Sequence, residues 1–248
     1  MVTDSKAKQS SKNNDSGPAL SVINLEAWYG ESHILHGISF DVREGEVVSL
    51  LGRNGAGKTT TLKSILGLVD KRKGSVLYHG RQLIGMPLRQ IAPLGIGYVP
   101  EERGIFSGLS VRENLMLPPE VSPGGMSLEQ IFELFPNLYQ RISSQGTKLS
   151  GGEQQMLAIA RILRTGARFI LMDEPSEGLA PVIIEQIGET MKRLKKEGFT
   201  IILVEQNLQF ASDFADRHYI IEQGTVAEEV SNSELVNDMD KIRSYLSV

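Results

Sequence analysis

The sequence predicts an α/β fold: a mainly parallel sheet, short strand-like runs ahead of it and a helical insertion within it. Three observations carry that expectation. After residue 166 strand-type and helix-type runs alternate, which argues for parallel strands joined by crossover helices. Earlier, "VSLLGRNGAGKTTTLKSIL", residues 47–65, passes from aliphatic residues through three glycines into a helix-forming stretch. Between these two regions, residues 110–166 hold helical periodicity and little β-type sequence.

The elements follow in order. Runs at 20–26, 34–42 and 46–51 are strand-like, and a helix should start near Gly57. "GSVLYHG" and "IGYVP" are further strands, with a short helical piece near 87–93 between them. In the insertion, Ser127 followed three residues later by Gln130 makes a capping-box start, and Leu128, Ile131, Phe132 and Phe135 form one apolar face. Then come "RFILMDE" as a strand, a helix at 182–197, the strand "TIILVE", a helix at 207–214, the strand "HYIIEQG" and a C-terminal helix. Residues 1–18 lack an apolar h-region, so they are expected to form a disordered tail and not a secretory signal.

Composition closes off several functions. The 248 residues can bury a substantial core, and none is cysteine, which excludes disulfides and thiolate metal sites. The four histidines, at 33, 36, 79 and 218, lack the spacing of a metal-binding helix. A net charge of −4 disfavours a broad nucleic-acid face, and no apolar run reaches the ~18 residues of a membrane span.

Gly52, Arg53, Asn54, Gly55, Ala56, Gly57, Lys58 and Thr59 fit G-x-x-x-x-G-K-[ST], a phosphate-binding loop between strand and helix, and Thr60 continues the same nucleotide-binding set. The glycines let backbone N–H groups converge on phosphate oxygens, and the positive end of the following helix points at them. Lys58 would bridge the β- and γ-phosphates of a nucleoside triphosphate, and Thr59 would ligate Mg²⁺. An unliganded glycine turn is the plain alternative, which the strand-to-helix context disfavours. "FILMDE", 169–174, ends an apolar strand in two acids: Asp173 suits the metal's outer shell, and Glu174 can polarise an attacking water. No N-K-x-D stretch occurs, so GTP is disfavoured.

"KLSGGEQQMLAIARIL", 148–163, places Ser150, Gly151, Gly152 and Glu153 at a helix start, where a hydroxyl and bare N–H groups can form a second anion site. Alone, this could be an ordinary N-cap. With the other two motifs in order it resembles the signature of the ABC ATPases, and the resemblance covers about residues 19–236. It implies a phosphate-loop NTPase core with an N-terminal antiparallel β portion, a helical subdomain near 101–166, ATP and Mg²⁺ as ligands, and a dimer in which one subunit's signature closes over ATP held by the other. Tyr29 matches the aromatic that stacks on adenine, while Trp28 beside it is expected to be packing. Glu101 stands where most relatives have glutamine, as a sensor of metal or water. Gln206 stands where most have a histidine contacting the γ-phosphate, and Ala180 ends "SEGLA" where an aspartate is usual.

"VPEERGIF", "DEPSEGLAP" and "LVEQN" together look like one of the two ATP-binding subunits of importers for branched-chain amino acids and related small polar nutrients. That resemblance implies a second, non-identical ATPase, membrane permease subunits, indirectly a solute-binding protein, and a cytoplasmic position on the inner face of the membrane. Three alternatives stay open: an ABC exporter ATPase, a soluble non-transport ABC ATPase and a small-molecule phosphotransferase.

Overall fold

The computed structural model describes residues 17–239, so the expected tail lies outside the described residues except for its last two positions. The strands β1 (Leu20–Tyr29) and β2 (Ser32–Val42) form a hairpin, and β3 (Val47–Leu51) leads through the glycine loop into α1 (Lys58–Ile65). Next, β4 (Lys71–Tyr78) and β5 (Arg81–Gln82) return to the hairpin, giving an antiparallel sheet of order β2-β1-β4-β5. The short α2 (Leu88–Ile91), with a 3₁₀ turn at Ala92–Leu94, leads to β6 (Ile96–Val99). Between β6 and the next strand lie four helices: α3 (Val111–Met116), α4 (Leu128–Leu134), α5 (Pro136–Gln140) and α6 (Gly151–Arg164). The rest alternates: β7 (Phe169–Asp173), α7 (Pro181–Lys196), β8 (Thr200–Glu205), α8 (Leu208–Ser212), β9 (Arg217–Glu222), β10 (Thr225–Ser231) and α9 (Asn232–Asn237).

The second sheet has the order β10-β9-β3-β8-β7-β6, and every neighbouring pair except β10 with β9 is parallel. Its central strands β3, β7 and β8 are buried at every residue, which is why they read as unbroken apolar runs and not as alternating ones. The pleat divides them between two cores. Val47 and Leu51 of β3 face the core that holds the buried sides of α6 and α7, whereas Val48 and Leu50 face the core shared with α1 and the antiparallel sheet. Register sets Leu51 beside Glu205 and Asp173 beside Val204, so the carboxyl ends of β3, β7 and β8 open together at one edge. Ligands of open α/β sheets bind at such an edge.

Three expectations change. β1 runs on to Tyr29, so Trp28 and Tyr29 belong to the strand. The helical piece near 87–93 divides into α2 and the 3₁₀ turn. After β9 the chain makes a hairpin into β10 before any helix, because Gln223 and Gly224 both take positive φ, 46° and 75°, the two-residue turn that matches strand twist. Serines begin α3, α4, α6 and α9: Ser110, Ser127, Ser150 and Ser231 each form a capping box with the acid or amide three residues on.

Candidate functional site

The glycine loop is shaped by packing before any ligand is considered. A Cβ on Gly52 would lie 2.4 Å from the Ile221 carbonyl oxygen, and one on Gly57 would lie 2.8 Å from the Leu35 side chain, with Gly57 also at φ 109°. Gly57 is the N-cap of α1 and supplies no side-chain cap, and the first turn of α1 holds no acid. Its end therefore keeps free N–H groups and uncompensated positive dipole for an anion.

Lys58 Nζ donates to the Gly52 carbonyl at 2.8 Å and the Arg53 carbonyl at 3.1 Å, and lies 3.2 Å from Glu174 Oε1. Both partners of this pair are almost wholly buried. The other carboxylate oxygen, Glu174 Oε2, accepts from Gln206 Nε2 at 2.7 Å, and the same amide nitrogen donates to Asn54 Oδ1 at 2.7 Å. Strand register thus delivers Glu174 and Gln206, from the ends of β7 and β8, onto the loop that follows β3. Burial opposes charge on Glu174, but hydrogen bonding with Glu177 and the contacts from Lys58 and Gln206 hold its carboxyl below the usual range. Glu177 carries the opposite consequence: sharing a hydrogen bond with Glu174, it is pushed up to about 6. Glu174 also sits at φ 47°, a left-handed conformation that side chains avoid unless the surroundings enforce it.

Asp173 is fully buried, and its oxygens accept from the Thr59 hydroxyl at 2.9 Å and the Tyr98 hydroxyl at 3.0 Å. Burial raises its pKa, and those two hydrogen bonds work against the rise. Glu205, also buried, accepts from the backbone N–H groups of Ser176, Gln206 and Asn207 and so ties the turn after β7 to the turn after β8. Sequence reasoning missed Tyr98, Glu177 and Glu205. Glu177 and Glu205 lie within motifs already quoted, but nothing in the spacing says that Glu177 bonds Glu174 or that Glu205 ties two turns together.

A cleft of about 470 Å³ joins Asn54, Gly55, Gly57, Lys58, Thr59 and Thr60 to Tyr29, Glu101 and Glu174. Tyr29 is 48% exposed there, so one face of its ring is open to a flat partner. Arg53 and Ala56 line a separate, smaller cleft beside Ile221 and Glu222. Trp28 packs within its own sheet: it stacks on His33 at 4.2 Å, under the ammonium groups of Lys71 and Lys73. Ser150, Gly151, Gly152 and Glu153 do not line the nucleotide-sized cleft of their own chain. Ser150 accepts from the Glu153 N–H at 3.3 Å, Glu153 accepts from the Ser150 N–H at 2.7 Å, and a Cβ on Gly152 would lie 2.7 Å from Ile183. A larger cleft, about 730 Å³, lies between α5 and α7 and includes none of these groups.

Thr59 and Asp173 offer hard oxygen donors 2.9 Å apart, and no cluster of three or more His, Cys, Asp or Glu among the described residues could hold a metal by itself. That donor set fits Mg²⁺, which is bound through one or two protein oxygens with phosphates and water completing the shell.

Residues 35–177 match the sequence profile of the ABC transporter family. The chain belongs to that family. The chain is accordingly an ATPase subunit of the ABC type, and its fold agrees. The chain is 40% identical over 230 residues to BraG, the high-affinity branched-chain amino acid transport ATP-binding protein of Pseudomonas aeruginosa, covering 92% of this chain and 99% of that one. It is 33% identical over 233 residues to LptB, the lipopolysaccharide export system ATP-binding protein of Haemophilus influenzae, covering 92% and 96%. Among solved structures, an ATP-binding subunit of an ABC transporter superposes with a TM-score of 0.76 at 28% identity, over 91% of this chain and 98% of that one. No helix among the described residues is long and apolar enough to cross a membrane.

Proposed function

We propose that this ABC ATPase is one of two unlike motor subunits of an importer for branched-chain amino acids or related small polar nutrients. ATP-driven closure of the dimer would be coupled to a separate membrane permease fed by a solute-binding protein. The observation that supports this cargo class most is the 40% identity to BraG over nearly the full length of both chains. An exporter motor is the second reading, favoured by the 33% identity to LptB over similar spans.

In this reading the adenine of ATP stacks on Tyr29, and the phosphates enter the loop at Gly52–Thr59, where Lys58 exchanges part of its contact with Glu174 for phosphate oxygens. Thr59 and Asp173, with Glu101 at the cleft wall, are the residues that would hold Mg²⁺, which when bound neutralises charge on the phosphates. Glu174 takes a proton from the attacking water as the water's oxygen bonds to the γ-phosphorus and the bond to the bridging oxygen breaks. Gln206, whose two amide N–H groups go to Glu174 and Asn54, orients that carboxylate against the phosphate loop. Ser150 to Glu153 lie outside this cleft and would complete the partner's.

The test is to purify the chain from membranes with everything bound to it. The expected set is a second ATPase and permease chains, with ATP hydrolysis that rises when a leucine-loaded binding protein is added. A complex that lacks a binding protein and is stimulated by lipid would favour the exporter.

A further inference from the structure

Asp173 has no freedom left in its carboxylate: one oxygen accepts from Thr59 at 2.9 Å and the other from Tyr98 at 3.0 Å. The Tyr98 hydroxyl belongs to none of the three motifs. Tyr98 stands on β6, paired with Leu171 of β7, two residues before Asp173. Its neighbours Gly97 and Val99 are buried in the sheet, and its ring packs against the apolar core beneath the antiparallel sheet. β6 is held to β7 by the parallel ladder that runs from Ile96 beside Phe169 to Val99 beside Met172, and its Gly97 lies so close to α6 that a Cβ there would come within 2.3 Å of Ile162. The phenol is therefore fixed by its strand, by its ring packing and by the acid it meets. Burial and then the Asp173 charge push the Tyr98 pKa up, so the hydroxyl remains a donor at any ordinary pH.

The terminal torsion of an aspartate is broad and roughly two-fold. A donor held rigidly on one oxygen removes that freedom and keeps the other oxygen turned toward Thr59. We propose that Tyr98 is a positioning residue for the metal end of the site: its hydroxyl fixes the plane of the Asp173 carboxylate so that Oδ1 stays aligned with Thr59 for the Mg²⁺ of Mg-ATP. This rests on the reading above that Thr59 and Asp173 serve Mg²⁺. Hydrogen bonds of this outer kind typically change metal affinity by about 10- to 100-fold when removed.

The experiment measures binding and not turnover. A fluorescent ATP analogue is titrated onto the purified full chain with EDTA and then across Mg²⁺ concentrations, to give a metal-free affinity and a Mg²⁺ midpoint for its tightening. Tyr98→Phe, which removes one oxygen and keeps the ring, should leave the metal-free affinity unchanged and raise the Mg²⁺ midpoint about tenfold. Asp173→Asn should raise it at least as much. If Asp173→Asn shifts the midpoint and Tyr98→Phe does not, Tyr98 is packing only and the inference falls alone. The same follows if Tyr98→Phe weakens metal-free binding and the Mg²⁺ response by one common factor. If Asp173→Asn leaves the midpoint in place, the assignment of Asp173 to the metal fails and the inference fails with it.

Discussion

Glu174 is contacted from three sides, by Lys58, Gln206 and Glu177, while its own backbone is held at φ 47°. Glu174→Gln preserves shape and hydrogen bonding but removes the basicity on which proton transfer depends. Phosphate release by the assembled transporter should fall by roughly 10²-fold or more, with ATP binding retained. Normal turnover would move the water-activating role elsewhere, to Glu101 or Glu177. Gln206 is the residue whose contacts the sequence showed least. Its type suggested an amide facing phosphate, whereas its nitrogen donates to Glu174 and Asn54, both at 2.7 Å. Gln206→Ala leaves a carboxylate without one donor, worth about 1.5–3 kcal/mol for a charged acceptor, so hydrolysis should drop by about 10- to 100-fold. Gln206→His, able to donate one N–H, should retain most of it. An alanine variant with unchanged turnover would show that the bridge is not used in the reaction. Motif spacing singled out Gly52–Thr59, Asp173 and Glu174, which the fold brings together, because each residue type follows from local chemistry. Tyr98 and Glu205 were hidden because their partners are set by strand register, and Glu177 because its contact with Glu174 depends on the turn after β7, both of which only the fold supplies.

At the scale of elements, β3 and α1 were legible because an apolar run, a glycine loop and a helix former occur consecutively, while β10 was not. As an edge strand with Glu228 and Glu229 in it, β10 lacks the apolar alternation that marks a half-buried strand, and only the Gln223–Gly224 turn announces it. Two element contacts give measurable expectations. Gly97→Ala brings a methyl within 2.3 Å of Ile162, so β6 and α6 must separate; a loss of about 1–3 kcal/mol, read in a denaturant titration, is expected. An unchanged midpoint would mean that α6 shifts freely on the sheet. The second contact joins β3, β9 and α9. His218 is fully buried, with Nδ1 2.6 Å from Ser49 Oγ and Nε2 3.0 Å from Asn232 Oδ1. Burial pushes its pKa below the ordinary 6.5, more than Asn232 and Asp216 push it back. The unfolded chain therefore takes up this proton more readily than the folded one. The contribution of neutral His218 is full above about pH 6.5 and is lost as pH falls below that toward the depressed folded value. Thermal melts at pH 7.5 and 5.5 should differ more for the native chain than for His218→Gln. Equal differences would show that the ring protonates in place without cost.

At the scale of the whole molecule, the feature that bears on assembly is that Ser150 to Glu153, at the start of α6, line no part of the cleft around Lys58. In the proposed reading one chain then holds two half-sites, each completed by a partner. The loop after Glu174 ends in Ala180, which is the N-cap of α7 and makes no side-chain cap hydrogen bond. Where the resembled family has an aspartate for a cross-subunit contact, Ala180 has no polar side chain to make one, while Lys58, Thr59, Asp173 and Glu174 meet around the cleft. Such asymmetry suits pairing with a second ATPase of different sequence better than pairing with a copy of itself, since two copies would duplicate the missing contact in both sites. The isolated chain should thus be monomeric or weakly self-associating, with little ATPase activity, and should gain activity when the partner and permease are added. Glu174→Gln in Mg-ATP gives the clearest measurement, because blocked hydrolysis traps whatever closed dimer can form. Light scattering should report a monomer for this variant alone and a one-to-one dimer once the second ATPase is supplied. A stable homodimer of the variant, together with two copies of this chain and no second ATPase in the purified transporter, would overturn the unlike pair and make both ATP sites equivalent.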